Sequence, residues 1–261
     1  MYSLHAHSAF ITGAGSGIGE AAARRLAQDG AAVAVVDIRQ EPAERVTNEI
    51  VASGGRAIAV VADVRDEGSV ADGIAKTIDA FGTLTTVFAN AGINGMQCPI
   101  EEMTLDEWRA TMDTNLTGTF LTVKHAIPHL RAAGGGSIII TASVNGTQLF
   151  SLPGYACYST SKGGQAIFGR MAAGELARWD IRVNTICPGA IKTNIGERTY
   201  RRNLEKVTWD LKMPDKWPPH LGRPAEASEV ADLVAFLASD DSKYITGAEI
   251  VIDAGLTILR G

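Results

Sequence analysis

The run Thr12-Gly13-Ala14-Gly15-Ser16-Gly17-Ile18-Gly19 limits the fold more than any other stretch of the chain. Apolar Ala9-Phe10-Ile11 leads into it from Ser8, and Glu20-Ala21-Ala22-Ala23-Arg24-Arg25-Leu26 leaves it with strong helix propensity. The segment therefore reads as strand, tight turn and helix N-terminus. Glycine lets the backbone take positive φ and lets another group approach where a Cβ would clash. Unpaired N–H groups and the positive end of the helix dipole suit a diphosphate there. A glycine turn alone is weak evidence for binding. The apolar run Val33-Ala34-Val35-Val36 strengthens it by ending in Asp37, about 20 residues after the glycines, where a carboxylate can hold an adenosine ribose.

The same alternation runs through most of the sequence. Strands are expected at Ala57–Ala62, Leu84–Ala89, Ser137–Thr141, Arg182–Ile186 and Glu249–Ile252. Helical patterns separate them: one opening at Glu41-Pro42, one through Ile74 and Ile78, a long one over Thr104–Ala133, one from Tyr158 to Trp179, and one over Ala227–Ala238. This pattern predicts an α/β fold of the Rossmann type, a doubly wound, seven-stranded parallel sheet with helices on both faces. A chain of 261 residues suits a single dinucleotide-binding and catalytic domain of that kind. Ligands of such sheets sit beyond the carboxyl ends of the strands. Asp37, Asp63, Asn90-Ala91-Gly92, Ser143 and Pro188-Gly189 all follow strands and should meet on one rim.

Residues 190–224 break the rhythm. Trp209, Met213, Pro214, Trp217, Pro218 and Pro219 are mixed there with Arg198, Arg201, Arg202 and Lys206. So long a connection reads as a substrate lid, with some local helix between Glu197 and Lys212. Its arginines, interleaved with Glu197, Glu205 and Asp210, read as a solvated face rather than an anion site.

A net charge of −5 gives no basic field for nucleic acid or anionic lipid. No apolar run is long enough for a membrane span. The first residues lack a signal-peptide pattern, so a cytoplasmic location is expected. Cys98, Cys157 and Cys187 have no metal-ligand spacing and read as free thiols, with a packing role for Cys157. His125 and His129 are four apart on a helix but have no third ligand, so no metal is expected.

Tyr158-Ser159-Thr160-Ser161-Lys162 places a phenol and an ammonium on one helical face. A tyrosine of pKa ~10 is about one part in a thousand ionised at neutral pH. A neighbouring ammonium, with a cationic nicotinamide above it, should lower that pKa and let the phenol exchange a proton with an alcohol or carbonyl.

Together these residues resemble the short-chain dehydrogenase/reductase family in its one-domain form, over residues 8–255. Gly13, Ser16, Gly17, Ile18 and Gly19 resemble its cofactor loop, and Asn90-Ala91-Gly92 resembles its motif after the fourth strand. Asn115, Ser143, Tyr158 and Lys162 match its catalytic set. Arg182-Val183-Asn184 and Pro188-Gly189-x-Ile191-x-Thr193 match the segment flanking the nicotinamide. The resemblance implies that Tyr158 is the acid/base, that Lys162 lowers its pKa and holds the nicotinamide ribose, and that Ser143 hydrogen-bonds the reacting oxygen. It also implies that Asn115 anchors a water leading from Lys162 to bulk, and that Asp63 and Val64 meet the adenine. Pro188, Gly189, Ile191 and Thr193 would fix the carboxamide.

Two departures stand out. The span from Ser143 to Tyr158 is longer than the family pattern, so a bulge at Gln148, Leu149 and Phe150 is expected to shape the substrate pocket. Asp253-Ala254-Gly255 replaces Asp-Gly-Gly. Asp37 favours NAD, since it would repel the 2′-phosphate of NADP, and Arg39 is the one complication.

The expected reaction interconverts a secondary alcohol (polyol, sugar or cyclic) and a ketone, with a small-molecule substrate. The alternatives are a 3-oxoacyl thioester reductase, whose carrier would dock on Arg131, Arg170 and Arg178, and a non-catalytic NAD-binding sensor. Small residues along the helix after Tyr158 (Gly163, Gly164, Ala166, Ala172, Ala173, Gly174), with the family's habit, imply a homotetramer.

Overall fold

A computed structural model describes residues 2–148, 152–207, 218 and 220–258. In chain order the elements are β1 Ser8–Thr12, α1 Gly17–Gln28, β2 Ala32–Asp37, α2 Gln40–Ala52, β3 Arg56–Val61 and α3 Glu67–Phe81. They continue with β4 Thr86–Ala89, β5 Gly95–Gln97, α4 Leu105–Met112, α5 Gly118–Ala132, β6 Gly136–Thr141 and α6 Ala156–Leu176. The last are β7 Ile181–Pro188, β8 Thr199–Arg201, α7 Ala227–Ala238 and β9 Glu249–Ile252.

Seven strands form one parallel sheet in the order β3-β2-β1-β4-β6-β7-β9. Strand order reverses between β1 and β4, which opens a crevice at their carboxyl ends. Side chains alternate across the sheet, and the core divides accordingly. Ala9, Ile11, Val33, Val35 and Ile139 face one layer, with Leu26 of α1, Ile50 of α2 and Val234 of α7. Phe10, Ala34, Val36, Ile138 and Ile140 face the other, with Ile74 of α3, Leu130 of α5 and Leu176 of α6. Both faces are covered, which explains why the strands read as continuous apolar runs.

The structure adds detail to two expectations. The helix expected over Thr104–Ala133 contains a π-turn, Asp113–Thr117, between α4 and α5. Of the local helix expected between Glu197 and Lys212, the described residues show two short 3-10 turns, Asn194–Arg198 and Leu204–Val207, flanking the strand β8, and residues 208–212 lie outside them. β8 pairs in parallel with β5, a three-residue strand without a readable period. The insert's ends are joined where Ile191 bridges Ala225, with Lys192 N–H donating to Ala225 O at 2.9 Å. Leu149, Phe150, Trp209, Met213, Pro214, Trp217 and Pro219, and with them most of the expected bulge and the centre of the expected lid, lie outside the described residues.

Candidate active site

A cavity of about 720 Å³ runs along the carboxyl ends of the strands. Gly13, Ser16, Gly17, Ile18, Asp37, Asp63, Val64, Asn90, Ala91, Gly92, Ser143, Tyr158, Lys162, Pro188, Gly189, Ile191 and Thr193 all line it. Gly19 and Asn115 do not.

At one end the glycine turn packs against the end of β4. Gly13 has φ +66°, and a Cβ there would lie 3.0 Å from Ala91 Cα. A Cβ on Gly15 would lie 2.7 Å from Asp37 Oδ2, the oxygen that accepts the Gly15 N–H at 3.2 Å. Gly19 serves packing, since a Cβ there would come within 2.3 Å of Gly13 O. Thr12 Oγ1 accepts the N–H groups of Asn90 and Ala91 at 3.0 and 3.1 Å, joining the turn to β4. Ser16, the residue before α1, makes no side-chain cap, so the first-turn N–H groups face the cavity without one.

Asp37 ends β2 and is buried, its Oδ1 accepting Arg39 N–H at 3.1 Å. The Arg39 guanidinium is exposed and stands 4.0 Å from the same oxygen. Asp63 is drawn below the usual carboxylate range by the Arg65 guanidinium, which bonds it at 2.6 Å.

These features fit a dinucleotide. The backbone donors suit its diphosphate, the Gly15–Asp37 contact leaves no room for a side chain between turn and carboxylate, and Asp37 suits a ribose diol.

At the other end Tyr158 and Lys162 lie one turn apart near the start of α6, both buried. Lys162 Nζ donates to Thr141 O at 2.7 Å and lies 5.7 Å from the Tyr158 ring centre. Gly92 provides the room, since a Cβ there would approach Lys162 Nζ to 3.4 Å and Asn115 Oδ1 to 3.2 Å. Burial pushes the phenol up to about 12, with the Ser143 hydroxyl pulling the other way. Burial also brings the ammonium down to about 7. The expected drop in the phenol's pKa is therefore not produced by the protein's own groups: desolvation dominates and favours the protonated phenol.

Asn115 sits behind this pair within the π-turn. Its amide accepts Ile93 N–H at 2.8 Å and donates to Ile93 O and Ser161 Oγ, both at 2.9 Å. Its carbonyl accepts the Thr119 hydroxyl at 2.8 Å. By these contacts it positions the loop after β4 against α6.

Arg182 and Asn184 do not reach the cavity. Arg182 bonds Ser242 Oγ and the carbonyls of Leu237 and Ser239, and Asn184 bonds Ile245 O and Ala248 N–H. Of the segment matched to the nicotinamide, Pro188, Gly189, Ile191 and Thr193 line the wall, while Arg182 and Asn184 hold β7 to its neighbours.

Asn94, Asn145, Tyr155 and Tyr200 also line the wall without a role in the sequence reading, and Arg198, read there as part of a solvated face, lines it too. Asn94 and Asn145 come shortly after strand ends, which is the one signal that could have found them. Tyr155 stands edge-on to Tyr158, ring centres 5.7 Å apart. Cys157 is buried, its Sγ 3.4 Å from Trp108 O, and burial raises its thiol pKa. No cluster of metal ligands occurs among the described residues. No described helix is long and apolar enough to cross a membrane.

Residues 13–257 match the family described as Enoyl-(Acyl carrier protein) reductase. The cyclohexanol dehydrogenase of an Acinetobacter species is 37% identical, over 95% of this chain and 94% of that one. The 2,5-dichloro-2,5-cyclohexadiene-1,4-diol dehydrogenase LinX of Sphingobium indicum is 38% identical over 96% of each. Among solved structures, a 3-ketoacyl-ACP reductase from Sinorhizobium meliloti 1021 superposes with a TM-score of 0.93 at 41% identity, covering 97% of this chain and 100% of the other. The chain belongs to the short-chain dehydrogenase/reductase family. It is an oxidoreductase acting on CH–OH groups with a nicotinamide cofactor.

Proposed function

We propose that this chain interconverts a cyclic secondary alcohol and its ketone with NAD(H), using Tyr158 as the acid/base. The observation that carries the reading is that one cavity joins Asp37 at its far end to Ser143, Tyr158 and Lys162 at its near end. A bound nicotinamide would supply the hydride acceptor or donor for the carbinol carbon, and Lys162, Pro188, Gly189, Ile191 and Thr193 would hold it there. Ser143 and Tyr158 hold the reacting oxygen between two hydroxyls, and Tyr158 Oη takes or gives its proton. Lys162, held by Thr141 O, supplies positive charge beneath the phenol and a donor for the nicotinamide ribose. Asn115 keeps the loop after β4 and the start of α6 in register.

Asp37 supports NAD. Its carboxylate sits in a buried corner against Gly15, and a 2′-phosphate there would face a fixed negative charge. Exposed Arg39 does not displace it. Comparable kcat/KM with NADP would overturn the preference.

The cyclic-alcohol reading takes support from the two dehydrogenases named above. The reductase likeness favours a 3-oxoacyl thioester instead, but the arginines available for a carrier are engaged. Arg170 pairs with Glu249, while Arg131 and Arg178 lie 5.0 and 4.1 Å from the Trp179 ring centre. Residues 190–224 act as the lid of this one catalytic domain. Phe120 of α5 and Ile167 and Met171 of α6 are exposed, and we assign them to the interface of a cytoplasmic homotetramer. A monomeric mass by light scattering at micromolar concentration would overturn that assignment.

A screen of secondary alcohols followed by NADH absorbance tests the activity. Tyr158→Phe should cost about 10³-fold in kcat while NADH still binds. Unchanged turnover would refute the mechanism, whereas NADH binding with no turnover of any alcohol by the wild type would leave a sensor as the better account.

A further inference from the structure

The insert carries three arginines close together, Arg198, Arg201 and Arg202, and the structure gives them different surroundings. Arg202 forms a fork on Glu107, at 2.7 and 3.0 Å, and also bonds Glu102 O. Arg201 donates to Gln97 Oε1 at 3.2 Å. Arg198 lines the active-site cavity, and its side chain makes no hydrogen bond or ion pair with any described residue.

Its backbone, by contrast, is held. Arg198 closes the 3-10 turn Asn194–Arg198, and Thr199 beside it is fixed twice. Thr199 Oγ1 donates to Ile195 O at 3.0 Å and accepts from Asn94 Nδ2 at 2.9 Å. Thr199 also sits in register with Gly95 in the β5–β8 pair. The mount is rigid and the head is open.

Glu197 is the neighbouring acid, and it too lines the cavity. Consecutive residues of a 3-10 helix point about 120° apart, and no Glu197–Arg198 contact forms among the described residues. Of the other cations on the described wall, Arg39 and Arg65 stand beside Asp37 and Asp63, and Lys162 is held by Thr141 O under Tyr158. Arg198 is thus a permanently charged, forked donor on the wall, with its partner to come from the ligand. A guanidinium matches a carboxylate at two points.

We propose that Arg198 reads a carboxylate on the substrate, so that this chain's alcohol is an anionic hydroxy acid whose acid group lies apart from the carbinol carbon. The proposal rests on the reading of Tyr158 as the reacting end. Asn145 and Tyr155, on the same wall and without side-chain hydrogen bonds to described residues, are available to the skeleton between the two ends.

The test compares 4-hydroxycyclohexanecarboxylate with 4-methylcyclohexanol, which differ at the acid group, by NADH formation with the full-length enzyme. The wild type should prefer the carboxylate about tenfold or more in kcat/KM, mainly through KM. Arg198→Met should collapse that ratio to near one, and Arg198→Lys should restore part of it. NADH affinity, read by fluorescence titration, should stay the same in all three proteins. Turnover of both alcohols without a charge preference, or equal losses on both in Arg198→Met, would overturn the proposal alone. Turnover of neither by the wild type would refute the secondary-alcohol reading and this proposal with it.

Discussion

The two ends of the cavity are built by different means. At the Asp37 end, recognition comes from backbone: a turn with glycines where a Cβ would collide, open N–H groups, and one carboxylate fixed by Gly15 and Arg39 amides. At the Tyr158 end, it comes from side chains, mounted on α6, β6 and an insert that is tied to the rest by ion pairs. The first arrangement suits a ligand that never changes. The second suits one that does, because substituting a side chain leaves the sheet intact.

The largest effect that would test this contrast is at Asp37. Asp37→Ala removes a charged acceptor worth ~1.5–3 kcal/mol, so kcat/KM with NAD should fall about 10- to 100-fold. Activity with NADP should rise at the same time. If steady-state kinetics showed loss with both cofactors in equal measure, the carboxylate would be a structural prop and the contrast would fail at its rigid end.

Next comes Lys162. Folded Lys162 loses its proton near 7, brought down to about 7 by burial, whereas a free lysine does so near ~10.4. Between those values the folded state binds fewer protons, so the site's contribution to stability falls as pH drops from about 10 towards 7 and is flat below. Lys162→Met abolishes that dependence along with activity. Its melting temperature relative to the wild type should therefore be several degrees more favourable at pH ~6.5 than at pH ~10. A pH-independent difference by calorimetry would show that the ammonium is solvated.

A smaller effect is expected at the insert's anchor. Glu107, held down to about 2 by the Arg202 guanidinium and the Thr104 N–H, ties the start of α4 to the segment after β8. Arg202→Ala should raise substrate KM about three- to tenfold, the range of one charged hydrogen bond at a half-exposed site. NADH affinity should not move, and a parallel loss there would mean that the two ends are coupled.

The smallest is Ala254, which holds φ +51° where the family pattern has glycine. The left-handed region costs an alanine ~1–2 kcal/mol, partly offset by the greater freedom of unfolded glycine. Ala254→Gly should raise the melting temperature by about 1–3 °C with unchanged kinetics.

The rigid end is the more legible one in sequence. Its residues are neighbours along the chain, and their chemistry comes from spacing: glycine turn, then apolar strand, then acid. Helix α7 and strand β9 also read directly, because each has a clean period and nothing displaces it. The other end depends on partners far apart in the chain. Arg202 meets Glu107, and β8 meets β5, across long stretches of sequence, and no local period announces such contacts. The π-turn at Asn115 is similar, since it is held by Ile93 and Ser161 rather than by its own helix. The direction of the tyrosine's pKa is hidden for a related reason: spacing brings a lysine near, but only the packed interior shows how much solvation both groups give up.

Lys162 bonds the final carbonyl of β6, in the middle of the sheet. The proton-handling apparatus we propose is thereby tied to the buried sheet, while much of the wall that would sense the alcohol's shape hangs from excursions between strands. Descendants of such a chain can trade one excursion for another and meet an unfamiliar alcohol without retuning the acid that works on it.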